Sequence, residues 1–341
     1  MFLLDNTESS PSWSKTYKWY YTTGLYSDFK IALSGNGKYI ASIQDSSLIL
    51  LDNIAETKEW AYSNSPHNIE HVDIGYNPIK GRYYIVIGDD GGNITLFDDT
   101  SNLPLWSYNT TNSITSMKIS NDGSHVITKV DDDKIYFFNN SVETSKSPLW
   151  TCLALDADHV NIDISSDGES IIIVEEQKIR YLNNTLTDPK QQEWEVQEAT
   201  NGILKEGFIS GDGTYVLVGG DAVTPDPFPF GVAKLYNRTI TLPKIEDWNI
   251  SKGIYIPDVA INKFGNYFAL LEETTILHFY HHNVPVPQTV ITLVGDDDDD
   301  DKDENELESV IFLGSLILIF SSAAIISSIV IVKRKTKTIS E

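Results

Sequence analysis

The sequence repeats itself six times between Trp19 and Val294. Each copy contains a glycine turn, and successive turn glycines are 44, 42, 45, 45 and 52 residues apart. A short alternating apolar run precedes each glycine, and a β-branched or aromatic run follows it. The turn glycines are Gly37, Gly81, Gly123, Gly168, Gly213 and Gly265. Repeats of this length indicate supersecondary units that bury a shared core only by stacking on one another.

Two further markers keep step with the glycines. A tryptophan precedes each glycine by 17 to 21 residues, and an aliphatic–aromatic run such as KIYFFNN follows it. The tryptophans are Trp19, Trp60, Trp106, Trp150, Trp194 and Trp248. Short runs with period-2 alternation are typical of strands and not of helices. We therefore predict four strands in each unit, with the tryptophan strand first.

Units of this length with four strands predict an all-β protein, a β-propeller. We expect each tryptophan to be a wedge between neighbouring blades, and each glycine to supply the positive φ of a tight hairpin. Six blades are expected, or seven if one blade is degenerate. Ring closure would pair either the Trp19 segment or the strand PVPQTVITLV, residues 285–294, with the final blade.

One repeat carries a resemblance to a known family. The segment LPLWSYNTTNSITSMKISNDGSHVITKVDDDKIYFFNN, Leu103 to Asn140, resembles the WD40-like or quinoprotein-like (PQQ-like) propeller repeats of prokaryotic, especially archaeal, surface proteins. The resemblance extends from about Trp13 to Val294. It implies the propeller fold, but not a function, because propellers carry many unrelated activities.

The C-terminal part predicts a membrane anchor. Residues 310–332 are 23 residues without a charge, enough for a helix to cross a bilayer, and a basic tail follows at 333–341. An acidic stalk, 296–309, separates this transmembrane helix from the propeller at 12–295. Asp296–Glu308 alone carries 10 acids and 1 Lys. Positive charge marks the cytoplasmic side, so the propeller is expected outside and the C-terminus inside.

The N-terminal tail, 1–11, does not resemble a signal peptide. Two topologies therefore stay open, an extracytoplasmic propeller whose start lies upstream and a tail-anchored protein whose propeller faces the cytosol. Six possible N-glycosylation sites favour the first topology and a cell-surface glycoprotein. They are Asn93, Asn109, Asn139, Asn183, Asn237 and Asn249.

The formal net charge of -24 bears on partners. So acidic a chain repels phosphate backbones, and nucleic acid is not expected as a partner. The lipid bilayer is the expected partner of the C-terminal helix, and an unknown protein or glycan is the expected partner of the propeller.

No catalytic, cofactor or metal residues are predicted. Asp52 and Asp98 precede Trp60 and Trp106 at the spacing of quinoprotein repeats, but the Thr-Gly pair of those repeats is missing. The paired histidines are expected on the surface or in loops, namely His67 with His71 and His281 with His282.

The fifth unit contains a longer loop within GGDAVTPDPFPFGV, Gly219 to Val232. The loop either packs its own aromatic residues or reaches over a face of the propeller to contact a ligand. Asp226, Phe228 and Phe230 are the candidate contact residues.

These features predict a membrane-anchored propeller that acts as a binding or scaffolding module. The alternatives are a propeller enzyme, either a hydrolase or a degenerate quinoprotein relative, and a cytosol-facing scaffold. A catalytic propeller should show perturbed carboxylates or histidines near its axis, and a binding module a broad exposed patch on one face.

Overall fold

The structure, a computed structural model, describes most of the repeat region and little of the C-terminal part. The described residues are 2–4, 17–20, 29–140, 146–154, 160–185, 192–197, 202–222, 230–239, 248–252, 256, 258–272, 276–281, 284–292 and 330–331. Over these ranges the regular elements are β-strands.

Six four-stranded antiparallel sheets follow one another along the described chain. In each, consecutive strands are neighbours. Sheet 1 contains β3 (Phe29–Leu33), β4 (Tyr39–Gln44), β5 (Ser47–Asp52) and β6 (Thr57–Ser63). Sheet 2 contains β7 (Ile69–Asn77), β8 (Arg82–Asp89), β9 (Asn93–Asp98) and β10 (Ser101–Asn109). Sheet 3 contains β11 (Ile114–Ile119), β12 (His125–Val130), β13 (Lys134–Asn139) and β14 (Trp150–Leu153).

The second half of the repeat region has the same topology. Sheet 4 contains β15 (Val160–Ile164), β16 (Ser170–Glu175), β17 (Lys178–Asn183) and β18 (Gln192–Gln197). Sheet 5 contains β19 (Gly202–Ile209), β20 (Tyr215–Ala222), β21 (Phe230–Asn237) and β22 (Trp248–Lys252). Sheet 6 contains β23 (Asp258–Ile261), β24 (Tyr267–Glu272), β25 (Ile276–His281) and β26 (Val284–Thr292).

The predicted position of the tryptophan strand within a unit is wrong. Trp60 pairs with Leu50 of the strand before it, so its strand is the fourth of sheet 1 and not the first of sheet 2. The repeat period fixes the spacing of strands but not the boundary between sheets. Hairpin connections set that boundary, because a strand joined to the preceding one by a short turn pairs with it.

The last predicted strand completes the sixth sheet. β26 pairs with β25, at Leu277↔Ile291 for example, and occupies the fourth position without a tryptophan. Trp19 instead lies in β2 (Tyr17–Tyr20), which pairs with β1 (Phe2–Leu4). β1 also pairs with β27 (Val330–Ile331), which gives a separate three-stranded sheet. The expectation that the Trp19 segment heads the first unit is therefore wrong.

The hydrophobic core lies between successive sheets. One cluster joins sheets 1 and 2 and holds Leu50 and Phe97, and four similar clusters join each later pair of neighbouring sheets. The middle strands are therefore covered on both faces, and all six residues of β4 and of β16 are buried. This explains why the second strands are so rich in Ile, Val and Tyr.

The predicted transmembrane segment is largely outside the described residues. Of 310–332, the structure describes only Val330 and Ile331. Within the described ranges there is no helix with the length and apolar character needed to cross a bilayer.

Candidate binding site in the axial channel

The first strands of the sheets pack against one another in chain order. β7 contacts β11, β11 contacts β15, β15 contacts β19, and β19 contacts β23. We call the region that these five strands line the axial channel. Lys118 of β11 reaches across it, because its Nζ lies 5.7 Å from the ring centroid of Phe208 on β19, two sheets away.

Four carboxylates from four different sheets lie near enough to Lys118 to raise the pKa of its ammonium. They are Asp73 on β7, Asp163 on β15, Glu206 on β19 and Asp258 on β23. All four residues are half-buried. Strand alternation places them there, since every second side chain of a first strand points away from the sheet interface.

Neutral donors hold three of these carboxylates in place. Asp73 accepts hydrogen bonds from the backbone N–H groups of Ile74 and Ile119, each at 2.9 Å. Asp163 Oδ2 accepts one from the N–H of Ile209, also at 2.9 Å. The first strand of one sheet thereby fixes an acid carried by the preceding sheet.

The third of these acids is held by an amide side chain. Asn161 Nδ2 donates to Glu206 Oε2 at 2.8 Å, and Asn161 Oδ1 accepts from the N–H of Gly207 at 3.3 Å. The amide therefore bridges β15 and β19 beside the channel.

Burial makes the acids of the channel easier to protonate than free carboxyl groups. Burial raises the pKa of Asp163 to about 6. Burial and the nearby charge of Glu206 raise the pKa of Asp258 to about 7. Burial also raises the pKa of Asp73 and of Glu206. The channel thus holds carboxyl groups that exchange protons near neutral pH.

Lys118 stays charged in this setting. Burial alone lowers the pKa of its ammonium, but the attraction of four carboxylates outweighs that effect, and the net pKa is raised. The lysine in turn lowers the pKa of each acid below the value that burial alone would give.

One histidine expectation is wrong, because His71 lies in β7 beside the channel and is half-buried. Burial, with a smaller contribution from Lys30 and Lys118, lowers the pKa of His71 to about 4. His71 is therefore neutral near pH 7. His67 does lie in an exposed loop, with Nδ1 3.1 Å from Asp90 Oδ1. His281 is in β25, and His282 is outside the described residues.

The channel residues do not form a metal site by geometry. Among the described residues, no three His, Cys, Asp or Glu side chains come together in a way that would hold a metal ion. The chemistry available is hydrogen bonding, ion pairing and proton exchange.

The turn glycines all adopt the left-handed backbone region, with φ between 63° and 75°. The turn around Gly168 shows why serine and acid accompany the glycine. Ser165 Oγ donates to Asp167 Oδ1 at 2.5 Å, and both accept backbone N–H groups, from Ser170 at 2.9 Å and from Glu169 at 3.0 Å. Ser165 is fully buried. The acid is a turn cap here.

A hydroxyl–imidazole contact occurs in the equivalent turn of sheet 3. Ser124 Oγ lies 2.7 Å from His125 Nδ1 and donates to Asp122 Oδ1 at 2.6 Å. The N–H of Ser124 also donates to Asp122 Oδ1. The His125 ring stacks on Phe137 at 5.2 Å between centroids. These bonds order the turn.

The tryptophans lie between consecutive sheets where their side chains are described. Trp106 of sheet 2 is 5% exposed, stacks on Phe138 of sheet 3, and donates from Nε1 to Asn140 Oδ1 at 2.9 Å. Trp60 of sheet 1 likewise contacts an aromatic ring of the next sheet, that of Phe97, at 5.7 Å between centroids. Trp150 and Trp194 belong to the clusters that join sheets 3 to 4 and 4 to 5. Trp248 lies in β22.

The sequon asparagines differ in exposure. Asn93 donates from Nδ2 to both oxygens of the buried Asp89, at 3.2 and 2.9 Å, and Asn183 is buried and donates to Glu193. Asn109 and Asn249 are exposed, and Asn139 and Asn237 are half-buried.

The candidate loop of the fifth unit is mostly outside the described residues. Asp226 and Phe228 fall in 223–229, which the structure does not describe. Phe230 begins β21, where its backbone pairs with Ala222. Asp52 and Asp98, the residues at the quinoprotein spacing, each cap a turn, with Asp52 Oδ1 accepting the N–H groups of Ile54 and Ala55.

Sequence reasoning missed the channel residues. Their signal is present in the runs MKIS and IDIS, where one polar residue interrupts the apolar residues before the turn. The pattern identifies strands, but it does not show that polar residues from different sheets meet.

Comparisons with known proteins define the class. No family model matches the sequence, and no curated protein matches it significantly. Solved structures do match. The β-propeller domain of Cps50 (Swd1) from Myceliophteria thermophila aligns with a TM-score of 0.56 at 11% identity, covering 77% of this chain and 84% of that domain. Hydrazine synthase from Kuenenia stuttgartiensis aligns with a TM-score of 0.58 at 11% identity, covering 78% and 80%.

These likenesses establish the fold alone. The chain is an all-β protein with the repeated four-stranded sheets of a β-propeller, as its sequence predicted. At 11% identity, the activities of these two proteins are not carried over to it.

Proposed function

We propose that this chain is a binding propeller that holds a ligand or partner group at its axial channel. The observation that carries the proposal is the convergence of Lys118 and four carboxylates, from five different sheets, on one space. Polar groups that the fold brings together at a concave place, and that its core does not need, favour a binding role.

Affinity capture with the full chain in detergent micelles tests this proposal. The channel variant Asp163→Asn/Glu206→Gln removes two charges but keeps the shape and one acceptor oxygen of each side chain. Glu59→Gln, at an exposed residue of the outer strand β6, is the matched control. We expect the channel variant to lose a bound species that wild type and control retain. Equal capture by all three chains would exclude the channel.

Six blades are the ring size we propose, because β26 completes the sixth sheet. Closure would then bring β23 beside β3. The double variant Ala32→Cys/Ala260→Cys, in a Cys152→Ser background, places thiols at matching positions before the first-strand turns. A short bis-maleimide should join them within one chain. Because Ala32 and Ala260 are both buried, failure to cross-link would favour a seventh blade only where each single-cysteine variant reacts with a monofunctional maleimide.

We also propose that residues 310–332 anchor the propeller on the extracytoplasmic side, above the acidic stalk. The charge-free segment and the basic tail support this topology. Protease treatment of intact cells should release the propeller and leave the tail. A domain that stays intact until the cells are lysed would support the cytosolic alternative.

A second candidate function, hydrolysis, is favoured by one specific observation. Carboxyl groups whose pKa values are raised to about 6 and about 7 are suited to donating or accepting protons near neutral pH. Such perturbed acids near the axis are what a catalytic propeller should show. If the captured species is turned over by wild type, and Asp258→Asn binds it without turnover, the enzyme function replaces the binding function.

A further inference from the structure

The ammonium of Lys118 has no close ionic partner. The inner strands enclose the side chain, and solvent reaches it only in part. Among the described residues, no carboxylate oxygen lies within 4.0 Å of its Nζ, and the contact that is present is with the face of Phe208 at 5.7 Å. A partly buried charge of this kind ordinarily has a bonded partner or water.

The carboxylates around it are equally without a close cation. Asp73, Asp163 and Glu206 accept hydrogen bonds from backbone or amide donors only. None of the four acids has a lysine, arginine or histidine nitrogen within 4.0 Å among the described residues. Each therefore keeps lone pairs for a further donor.

The balance of charge points to the sign of a missing group. Four acids face one lysine, and His71 adds no charge near neutral pH. An added anion would pair with Lys118 but would meet the field of four carboxylates. An added cation would meet one like charge and several carboxylates whose ionised forms it would itself favour, and the face of Phe208 would also attract it.

The shape of the arrangement points to an ammonium in place of a metal ion. The described acids do not come together as metal ligands. They stand apart on four sheets, around a space that already accommodates one alkylammonium, the end of Lys118. An ammonium has three donors to distribute among separated acceptors.

We propose that the axial channel binds an alkylammonium group of a ligand, from either a linear polyamine or a lysine side chain of a protein. This inference rests on the proposed binding function and names the chemical class that the channel takes. The incoming ammonium bonds to carboxylates of the same group that acts on Lys118.

Isothermal titration of spermidine into the full chain in detergent micelles tests the inference. The acidic stalk attracts polyamines by itself, so every chain carries Asn in place of Asp296 to Asp301. We expect one saturable site at low salt. Asp163→Asn/Glu206→Gln should weaken its affinity at least about tenfold, because two of the four attractive charges are lost. Glu59→Gln should leave it unchanged.

Lys118→Met should change the affinity for spermidine in the opposite direction. Removing the competing ammonium should tighten spermidine binding by about tenfold. A merely structural role of Lys118 would weaken or abolish binding instead. This variant also serves if the double variant does not fold, and thermal melts with far-UV circular dichroism check folding for each chain.

Two peptide probes, compared with spermidine, identify the source of the ammonium. A short lysine-containing peptide is titrated alongside its acetyl-lysine counterpart. Binding of the lysine peptide alone identifies a protein side chain, and binding of spermidine alone identifies a polyamine. The inference is overturned if no probe binds, or if binding is the same in the double variant and in wild type. If partner capture still depends on the channel in that case, the proposed binding function stands without this ligand class.

Discussion

At the scale of single residues, the turns decide how the first and second strands of each sheet are joined. Gly168 has a φ of 75°, which side chains rarely tolerate, and a Cβ on it would lie 2.2 Å from His125 Nδ1 of the preceding sheet. Gly37 has a similar φ of 69°, but nothing lies within 4 Å of its Cβ position. A substitution at Gly37 therefore introduces backbone strain alone, whereas the same substitution at Gly168 introduces backbone strain and a steric clash.

Gly168→Ala should destabilise the fold more than Gly37→Ala. Backbone strain alone costs about 1–2 kcal/mol at Gly37. At Gly168 the clash with the packed His125 ring adds to it, for about 2–4 kcal/mol in all. Urea unfolding of the two variants measures the difference. Equal losses would show that the turn of sheet 4 does not press on His125.

At the scale of elements, the tryptophan strands of sheets 1 to 4 each link their sheet to the next. Trp106 is nearly buried, with a satisfied Nε1 and a ring stacked on the following sheet, whereas Trp60 is only half-buried and its Nε1 reaches Asp99 O at a longer 3.3 Å. The same element thus contributes unequally at two neighbouring interfaces.

Trp106→Ala should cost about 3–5 kcal/mol of unfolding free energy, the range for a large aromatic removed from a core. Trp60→Ala should cost about 2 kcal/mol, because less of the ring leaves the core. Chemical denaturation followed by circular dichroism gives both values. A loss at Trp60 as large as that at Trp106 would contradict the unequal packing.

Element existence and order could be predicted from the sequence, and the partition into sheets could not. Period-2 runs around Gly123 and Gly168 identify strands because alternation reflects one face in a core. The sequence places Trp60 in the wrong sheet because a regular repeat does not show at which strand one sheet ends and the next begins. Lys118 and Asp163 could not be joined, since they are 45 residues apart and meet only when two sheets pack side by side.

At the scale of the whole molecule, the arrangement of first strands concentrates charge on one axis. Asp258 comes from the last sheet, yet Glu206 raises and Lys118 lowers its pKa across the channel. The fold therefore couples groups that lie more than a hundred residues apart in the chain.

The contribution of Asp258 to stability should fall as pH rises. Its pKa in the folded protein is raised to about 7, above that of the unfolded chain, so the folded state binds this proton more tightly. This contribution is therefore largest at low pH and is lost between about pH 4 and about pH 8. The stability of Asp258→Asn relative to wild type should increase as pH rises through that window. Above about pH 8 the difference between the two proteins should stay constant.

Thermal melts between pH 4 and pH 9 measure this difference. Asp131→Asn, at an exposed carboxyl in the turn between β12 and β13, is the control for replacing a carboxyl group with an amide. A difference between Asp258→Asn and wild type that does not change with pH would show that the Asp258 carboxyl stays in water.

The most direct test of the axial channel is a carboxyl NMR titration of the full chain in micelles, with ¹³C-labelled aspartate. The account predicts two aspartates with apparent pKa values of about 6 and about 7, assigned by loss of their signals in Asp163→Asn and Asp258→Asn. Lys118→Met should move both values upward, since its charge lowers the pKa of each acid. If every aspartate titrates near pH 4 and none responds to Lys118→Met, the first strands do not bring these groups together.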